Sequence, residues 1–432
     1  MNETTGLPSS TIHRLLGLNG RENKAKNTAP KELEGGLLIV DEMSMVDTWL
    51  ANTLFKAIPD NMQVIFVGDK DQLPSVGPGQ ILHDLLCISE IPQKELTEIY
   101  RQEDGSSIIS LAHEIKNGAL PEDFTQNQID RSYFACQAQQ IEPLISKVAI
   151  KAKQRGFTPQ DIQVLAPMYK GPAGIHALNK MMQEIFNSNA DQTKKEVSFN
   201  NVVYRIGDKV LQLVNAPEDN VFNGDMGEIT GIIYAKDSEE KVDELVIAFD
   251  ANEVRYKRNE WNKITLSYCC SIHKAQGNEF KMVILPMVHQ YSRMLQRNLL
   301  YTAVTRSKEM LILIGELSAY RKCVEQVSTL RLTALKERIS GIDSISQAMR
   351  LKISSYEEAQ EEAPFEKEQT PVKSNRPKPN LDLAKDETMD LFAQETSNSF
   401  EEMQLTQERI QDNEIDPMIG MGELTPYDFQ MS

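Results

Sequence analysis

Cysteine is scarce in this chain. Five cysteines are spread over 432 residues with no C-x-x-C pair. That excludes a disulfide scaffold and offers no zinc-ligand spacing. Such usage suits a reduced, cytoplasmic protein. Long apolar runs are missing too: no stretch of about 18 apolar residues occurs, so no transmembrane helix is expected. The opening residues, MNETTGLPSS, carry neither a basic n-region nor an apolar core, so no secretory signal is expected. No internal repeat is apparent. What remains is globular in character, with 40% hydrophobic and 25% charged residues. The length is worth about three domains at roughly 150 residues each.

The formal net charge is -17, and its distribution decides what it means. Residues 351–432 hold 19 Asp+Glu against 7 Lys+Arg, whereas the first 350 hold 44 against 39. The acidity belongs mainly to the tail. The body remains able to carry a basic groove, because local field matters more than the sum. From about residue 355, EEAQEEAPFEKEQTPVKSNRPKPN is rich in Glu, Pro, Lys and Gln, and disorder is expected there. The terminal IDPMIGMGELTPYDF regains apolar and aromatic character. It reads either as a peptide that docks on a protein partner or as an ordinary frayed terminus.

The body has an α/β pattern. Residues 37–44 read LLIVDEMS, four apolar residues running into two acids. A buried parallel strand that delivers carboxylates at its C-terminal end looks like this. Val46–Ile58 has helical spacing and ends before Pro59; Val64–Val67 is a second strand, followed by GDKDQLPSVGPG. Strand, helix, strand is a βαβ unit, and such sheets bind ligands at the strand C-terminal ends. Ile99–Asn117 is mostly helical in pattern. A second α/β region opens at Ile162–Ala166 and closes with Met282–Leu285 and Met310–Ile314, which flank a helical Leu299–Ser307. Between them, residues 199–265 alternate in polarity and carry Gly-Asp and Asn-Gly turns, as a small inserted barrel would.

Asp41 and Glu42 are the first candidates for chemistry. A strand-end carboxylate can hold Mg²⁺ beside a nucleotide, since that ion prefers hard oxygen ligands and keeps several waters. An adjacent carboxylate can deprotonate an attacking water. A solvated Asp-Glu pair after a core strand is the plainer alternative. Gln72, at the second strand end, strengthens the functional reading, because its amide could contact a terminal phosphate. The plainer alternative there is a polar turn.

In their order, these motifs resemble the RecD-like superfamily-one DNA helicases. TTGLPSSTIHRLLG at 4–17 is similar to their motif Ia, LLIVDEMSMVD at 37–47 to motif II and VGDKDQLPSVGPG at 67–79 to motif III. LTEIYRQ at 96–102 is similar to motif IV, SIHKAQGNEF at 271–280 to motif V and LLYTAVTRSKEMLILIG at 299–315 to motif VI. VLAPMYKGPAGIHALN at 164–179 resembles the opening of their second motor domain. The resemblance covers about residues 1–350. It implies two RecA-like P-loop NTPase motor domains, the first (1–120) incomplete and the second made of 121–198 and 266–350. An SH3-like β insertion would span 199–265, and a disordered acidic tail 351–432.

The resemblance also implies roles. Asp41 would be the Mg²⁺-associated acid, Glu42 the acid/base for water, and Gln72 the sensor of the ATP γ-phosphate. Arg101 and Arg306 would reach the triphosphate as arginine fingers do. Glu279 would sit on the ribose or phosphate side. Thr11, His13, Lys170, His273 and Lys274 match DNA-facing positions, suited to phosphate contacts without sequence readout. Residues 18–35 occupy the place of a duplex-splitting β-hairpin pin but give no clear strand signal. Cys269 and Cys270 are most simply core residues. The implied activity is ATP-dependent 5′–3′ movement on single-stranded DNA with unwinding at duplex junctions, in repair or recombination.

One element of the family pattern is missing. No G-x-x-x-x-G-K-[ST] loop occurs in the 432 residues, and Gly20–Lys24 lacks the second glycine and the GK[ST] ending. That loop cradles the phosphates. The chain therefore resembles a helicase without its N-terminal part and is expected to be inactive alone. A different class stays open: a non-hydrolysing DNA-binding or partner-binding protein derived from a helicase. A nuclease is disfavoured, since no carboxylate cluster beyond Asp41-Glu42 stands out.

Overall fold

The computed structural model describes residues 6, 9–18, 32–96, 105–171, 173–250, 252–328 and 331–341. Arg101, the body of the 18–35 segment, the start of the helical stretch expected from Ile99, and the whole 351–432 tail with its terminal peptide lie outside them.

The first described element, α1 (Ile12–Leu15), is one turn capped by Thr11, whose hydroxyl accepts from the Arg14 amide. LLIV forms β1 (Leu37–Val40) and QVIF forms β2 (Gln63–Phe66), paired in parallel with Leu37 opposite Gln63 and Val40 opposite Phe66. The crossover is α2 (Thr48–Ala57). Its N-cap is Asp47, whose carboxylate accepts from the Leu50 amide at 2.8 Å. It stops at Ile58, which is extended (φ -83°, ψ 119°), because the ring of the following Pro59 disfavours the α region. Ala51, Leu54 and Ala57 bury one helix face, and Ala51 and Leu54 share a core with Val40, Met43 and the Ile81 and Leu82 side chains of α3 (Ile81–Leu86). On the opposite sheet face Leu37, Ile39 and Ile65 are 52%, 47% and 48% exposed.

The second sheet has five strands, all parallel, in the order β12-β4-β13-β14-β3. They are β3 (Arg131–Ala135), β4 (Ile162–Leu165), β12 (Cys269–Cys270), β13 (Phe280–Met287) and β14 (Ser307–Gly315). Every residue of β4 is buried, as is every residue of β13 except Lys281. Cys269 and Cys270 are both core residues. At the end of β14, Gly315 (φ +127°) lies so close to β13 that a Cβ would stand 2.0 Å from the Met287 carbonyl oxygen. Around this sheet lie α4 (Ser107–Lys116), α5 (Ile141–Gln154), α6 (Ile175–Phe186), α7 (Arg297–Val304) and α8 (Leu317–Glu325). A last short helix, α9 (Leu335–Ser340), packs on α3.

Between α6 and β12 the chain turns antiparallel. The hairpin of β5 (Glu196–Phe199) and β6 (Val202–Arg205) closes through Asn200 and Asn201, both at positive φ, as a tight two-residue turn requires. A five-stranded antiparallel sheet follows, ordered β10-β9-β8-β7-β11. Its strands are β7 (Lys209–Gln212), β8 (Met226–Ile233), β9 (Glu244–Phe249), β10 (Glu253–Lys257) and β11 (Ile264–Leu266). Lys209 pins it to the second sheet. Its buried ammonium donates to the carbonyls of Pro159 (3.1 Å) and Ile162 (3.2 Å) and to Gln163 Oε1 (3.0 Å). The neighbouring Asp208 carboxylate is also buried and accepts from Asn187, Gln183, Tyr268 and the Arg205 amide.

Candidate functional site

The hydrogen-bond ladder continues past the ends of β1 and β2. Val67 N–H donates to Val40 at 2.8 Å, and Met43 N–H donates back to Val67 at 2.9 Å. This brings Asp41-Glu42 beside Val67-Gly68. Gly68 allows this close approach, since a Cβ would lie 2.9 Å from the Leu82 side chain and 3.0 Å from the Met43 amide nitrogen. Glu42 is left-handed (φ 52°, ψ 39°), and its amide donates to Asp41 Oδ1 at 2.9 Å. A glutamate in that region is uncommon, and such local strain concentrates at functional sites. Asp41 is exposed and Glu42 half-buried.

Asp69 organises the second strand end. Its carboxylate accepts from the Asp71 amide (3.0 Å), the Gln72 amide group (3.4 Å) and, from α7, the Tyr301 hydroxyl (2.8 Å). Burial and then the Asp69 charge push the Tyr301 phenol up, so it stays a donor. The Gln72 carbonyl oxygen Oε1 is buried without a hydrogen-bond partner. One residue on, the Leu73 backbone is clasped from both sides. Its N–H donates to Thr302 Oγ1 (2.8 Å), and its carbonyl accepts from Gln276 Nε2 (2.8 Å). The motif III segment thus touches the motif V and motif VI segments directly.

Arg306 is buried, 3% exposed. Its guanidinium donates to the carbonyls of Asn278 (3.2 Å) and Thr302 (3.3 Å) and to Thr305 Oγ1 (3.3 Å). Its charge is felt at Tyr301, where it favours the phenolate, which places it within electrostatic reach of the Asp69-Gln72 corner. Glu279 pairs with Lys308 at 3.3 Å.

The candidate nucleic-acid residues occupy several elements. Thr11 caps α1, and His13 on α1 is half-buried. Burial lowers its basicity, partly offset by the Asp47 charge. His273 is lowered by burial alone. Both rings are therefore neutral near pH 7 and can serve as hydrogen-bond donors rather than cations. Lys274 is likewise lowered by burial and donates to Asn223 at 2.8 Å. On the same loop of the insertion, Asn220 accepts from the Arg14 guanidinium. That loop therefore links the motif Ia and motif V segments. Lys170 is exposed on a turn that Gly174 closes, where a Cβ would be 2.6 Å from the carbonyls of Tyr169 and Lys170.

Four residues of this network were not assigned roles from sequence: Asp69, Gln276, Tyr301 and Thr302. All lie inside the quoted motifs. Their hydrogen bonds cross between segments about 200 residues apart, so no local pattern marks them.

Three family models match. One described as an AAA domain covers residues 1–138, the ATP-dependent RecD-like DNA helicase SH3 domain covers 178–249, and the UvrD-like helicase C-terminal domain covers 266–314. The ATP-dependent RecD2 DNA helicase of Deinococcus radiodurans is 33% identical over 341 residues, 78% of this chain and 44% of that protein. The RecBCD enzyme subunit RecD of Mycolicibacterium smegmatis is 25% identical over 350 residues, 78% of this chain and 60% of that one. The chain thus spans about half the length of the curated relatives it matches. Among solved structures, Pif1 helicase from Bacteroides in complex with ADP-AlF3 and ssDNA aligns with a TM-score of 0.44 and 17% identity over 80% of this chain and 83% of that one. No helix among the described residues is long and apolar enough to cross a membrane. The α/β motor fold, the SH3-type insertion and the relatives agree with the ordered motifs: the chain belongs to the RecD-like helicase family.

Proposed function

We propose that this chain forms the Walker B, sensor and DNA-gripping parts of an ATP-dependent 5′–3′ DNA helicase. It would couple hydrolysis to movement on single-stranded DNA and to unwinding at duplex junctions. The observation that carries the reading is the clasp on Leu73 by Gln276 and Thr302. It joins the residue beside Gln72 to the two segments that carry Lys274 and Arg306. A change at a terminal phosphate then has a short hydrogen-bonded route to the DNA-facing loop.

Roles follow from position. Asp41, an exposed strand-end carboxylate, suits Mg²⁺ held through water. A bound ion would neutralise charge developing on the phosphoryl oxygens. Glu42 accepts a proton from the attacking water. The unsatisfied Gln72 Oε1 is an acceptor suited to orienting that water. Arg306 exchanges backbone carbonyls for phosphate oxygens as the cleft closes, with Arg101 approaching from the other side and Glu279 near the ribose. Thr11, His13, Lys170, His273 and Lys274 hold DNA phosphates. We take the functional division as 1–120, 121–198 with 266–350, 199–265 and 351–432, with the terminal peptide as a protein-docking segment. Repair or recombination is the setting that best suits such an activity.

These 432 residues contain no G-x-x-x-x-G-K-[ST] loop, so hydrolysis needs that loop from outside them. For the 432 residues alone, this favours the second reading, a module that binds DNA without hydrolysing ATP. The test is a chain extended N-terminally with a GKT-loop motor segment. It should hydrolyse ATP in response to single-stranded DNA, and Glu42→Gln should cut turnover by about 10²–10⁴ with nucleotide binding retained. Parental turnover in that variant would remove the assignment.

A further inference from the structure

The segment that follows the second sheet's last helix returns to the first region, and Arg331 makes most of its hydrogen bonds there. Arg331 lies between α8 and α9. Its guanidinium donates to the carbonyls of Ser75 (2.6 Å), Gly77 (2.5 Å) and Gly79 (2.6 Å) and to the Ser75 hydroxyl (3.3 Å). Its own amide donates to Gln80 Oε1 at 3.2 Å. Three alternate carbonyls of one turn thus converge on one cation. Of the two carbonyls between them, that of Pro78 accepts instead from the Thr48 amide (2.9 Å) and hydroxyl (3.0 Å) at the start of α2. On that side the turn is pressed close. A Cβ at Gly77 would lie 2.0 Å from Asp47 Oδ2, and one at Gly79 would lie 2.0 Å from Thr48 Oγ1. The turn is therefore fixed by α2 on one flank and by Arg331 on the other. It begins two residues after the clasped Leu73.

We propose that Arg331 is a positioning residue for the cleft: it holds the Ser75–Gln80 turn so that Gln72 and Leu73 stay between Gln276 and Thr302 as the nucleic-acid face is loaded. The inference rests on the helicase reading above for its purpose, though not for its geometry. A guanidinium is the group that can fan out over three carbonyls. A lysine ammonium is a compact point charge without that fork, and hydrogen bonds from a charged donor are the strong ones.

Hydrogen exchange at the Thr48 and Leu73 amides of the 432-residue chain reads the clamp directly. Arg331→Ala should speed both by about tenfold or more, and Arg331→Lys by an intermediate factor. Ethylguanidinium should restore protection in Arg331→Ala without altering the parent. Leu332→Ser, at a neighbouring fully exposed position, should leave both amides unchanged. A misfolded Arg331→Ala that ethylguanidinium refolds also supports the clamp, and one it cannot refold counts against it. Exchange within twofold of the parent at both amides overturns it. A second arm separates positioning from plain stabilisation. Single-stranded DNA should slow Leu73 exchange in the parent but not in Arg331→Ala, whose DNA affinity stays within twofold. Slowing that persists in the variant overturns the coupling. If the parent fails to bind DNA, the helicase reading falls, while the exchange arm still decides the clamp.

Discussion

β1 reads LLIV and β4 reads IQVL, and both pair in parallel with their neighbours. Yet β4 is buried along its whole length, whereas in β1 only Val40 is. The difference lies in what surrounds them. β4 is an interior strand of five, and the insertion presses Lys209 onto its first carbonyl. β1 belongs to a pair covered on one face by α2 and α3. Burial of a parallel strand is conferred by its neighbours, so the wholly apolar LLIV is less buried than IQVL, and short strands of similar character can contribute very unequally to stability.

The largest expected effect tests that inequality. Ile284, at the centre of β13, is fully buried, so Ile284→Ala should cost about 2–5 kcal/mol of unfolding free energy. Ile39→Ala, at a half-exposed position of β1, should cost under about 1 kcal/mol, because little apolar area is lost. Urea titrations of the two variants decide it, and equal losses would erase the distinction between the sheets.

Next comes the lysine that covers β4. Burial brings the Lys209 ammonium down to about 8, against a weaker opposing pull from Cys270 and Asp161. Its folded value is below its unfolded one, so the unfolded chain binds more protons between them. Stability should therefore rise with pH from about 8 towards 10, by about 1.4 kcal/mol per pH unit at most. Below about pH 8 the penalty is fully present. Lys209→Met should abolish that rise. Urea midpoints measured from pH 7 to 10 in parent and variant check this, and an unchanged slope would mean the lysine is not the source.

A smaller effect is expected where the two regions meet. Thr302→Val keeps the side-chain volume but strands the Leu73 N–H, which now donates to Thr302 Oγ1 at 2.8 Å. A buried donor left unpaired costs about 1–3 kcal/mol. The variant should lose stability near the lower part of that range and expose the 69–73 segment to faster proteolysis. Unaltered cleavage there would show that the clasp is not what holds the regions together.

Much of the fold could be read before any coordinates. Apolar runs marked β1, β2, β4, β13 and β14, and Pro59 marked the end of α2. Turn chemistry and alternation marked the antiparallel insertion. β3 (RSYFA) escaped, because a five-residue run with an arginine at its head has no distinctive period; it is a strand because β14 is there to pair with it. The site divides in the same way. Asp41, Glu42 and Gln72 stand out because carboxylates and amides just after apolar runs sit at strand ends. Asp69, Tyr301 and Thr302 acquire meaning only from one another.

The sequence by itself determined the order of motifs, the carboxylates at the strand ends, the family and the acidic character of the tail. These are local patterns, set by period, composition and short spacing. Only the tertiary structure decided that Leu73 is held between Gln276 and Thr302, that Arg306 rests on backbone carbonyls, and that three carbonyls of one turn close around Arg331. Apart from the Arg306 bond to the nearby Thr302 carbonyl, each of those contacts joins residues about 30 to 250 positions apart. Hydrogen bonds depend on distances of a few tenths of an ångström, which chain folding alone sets.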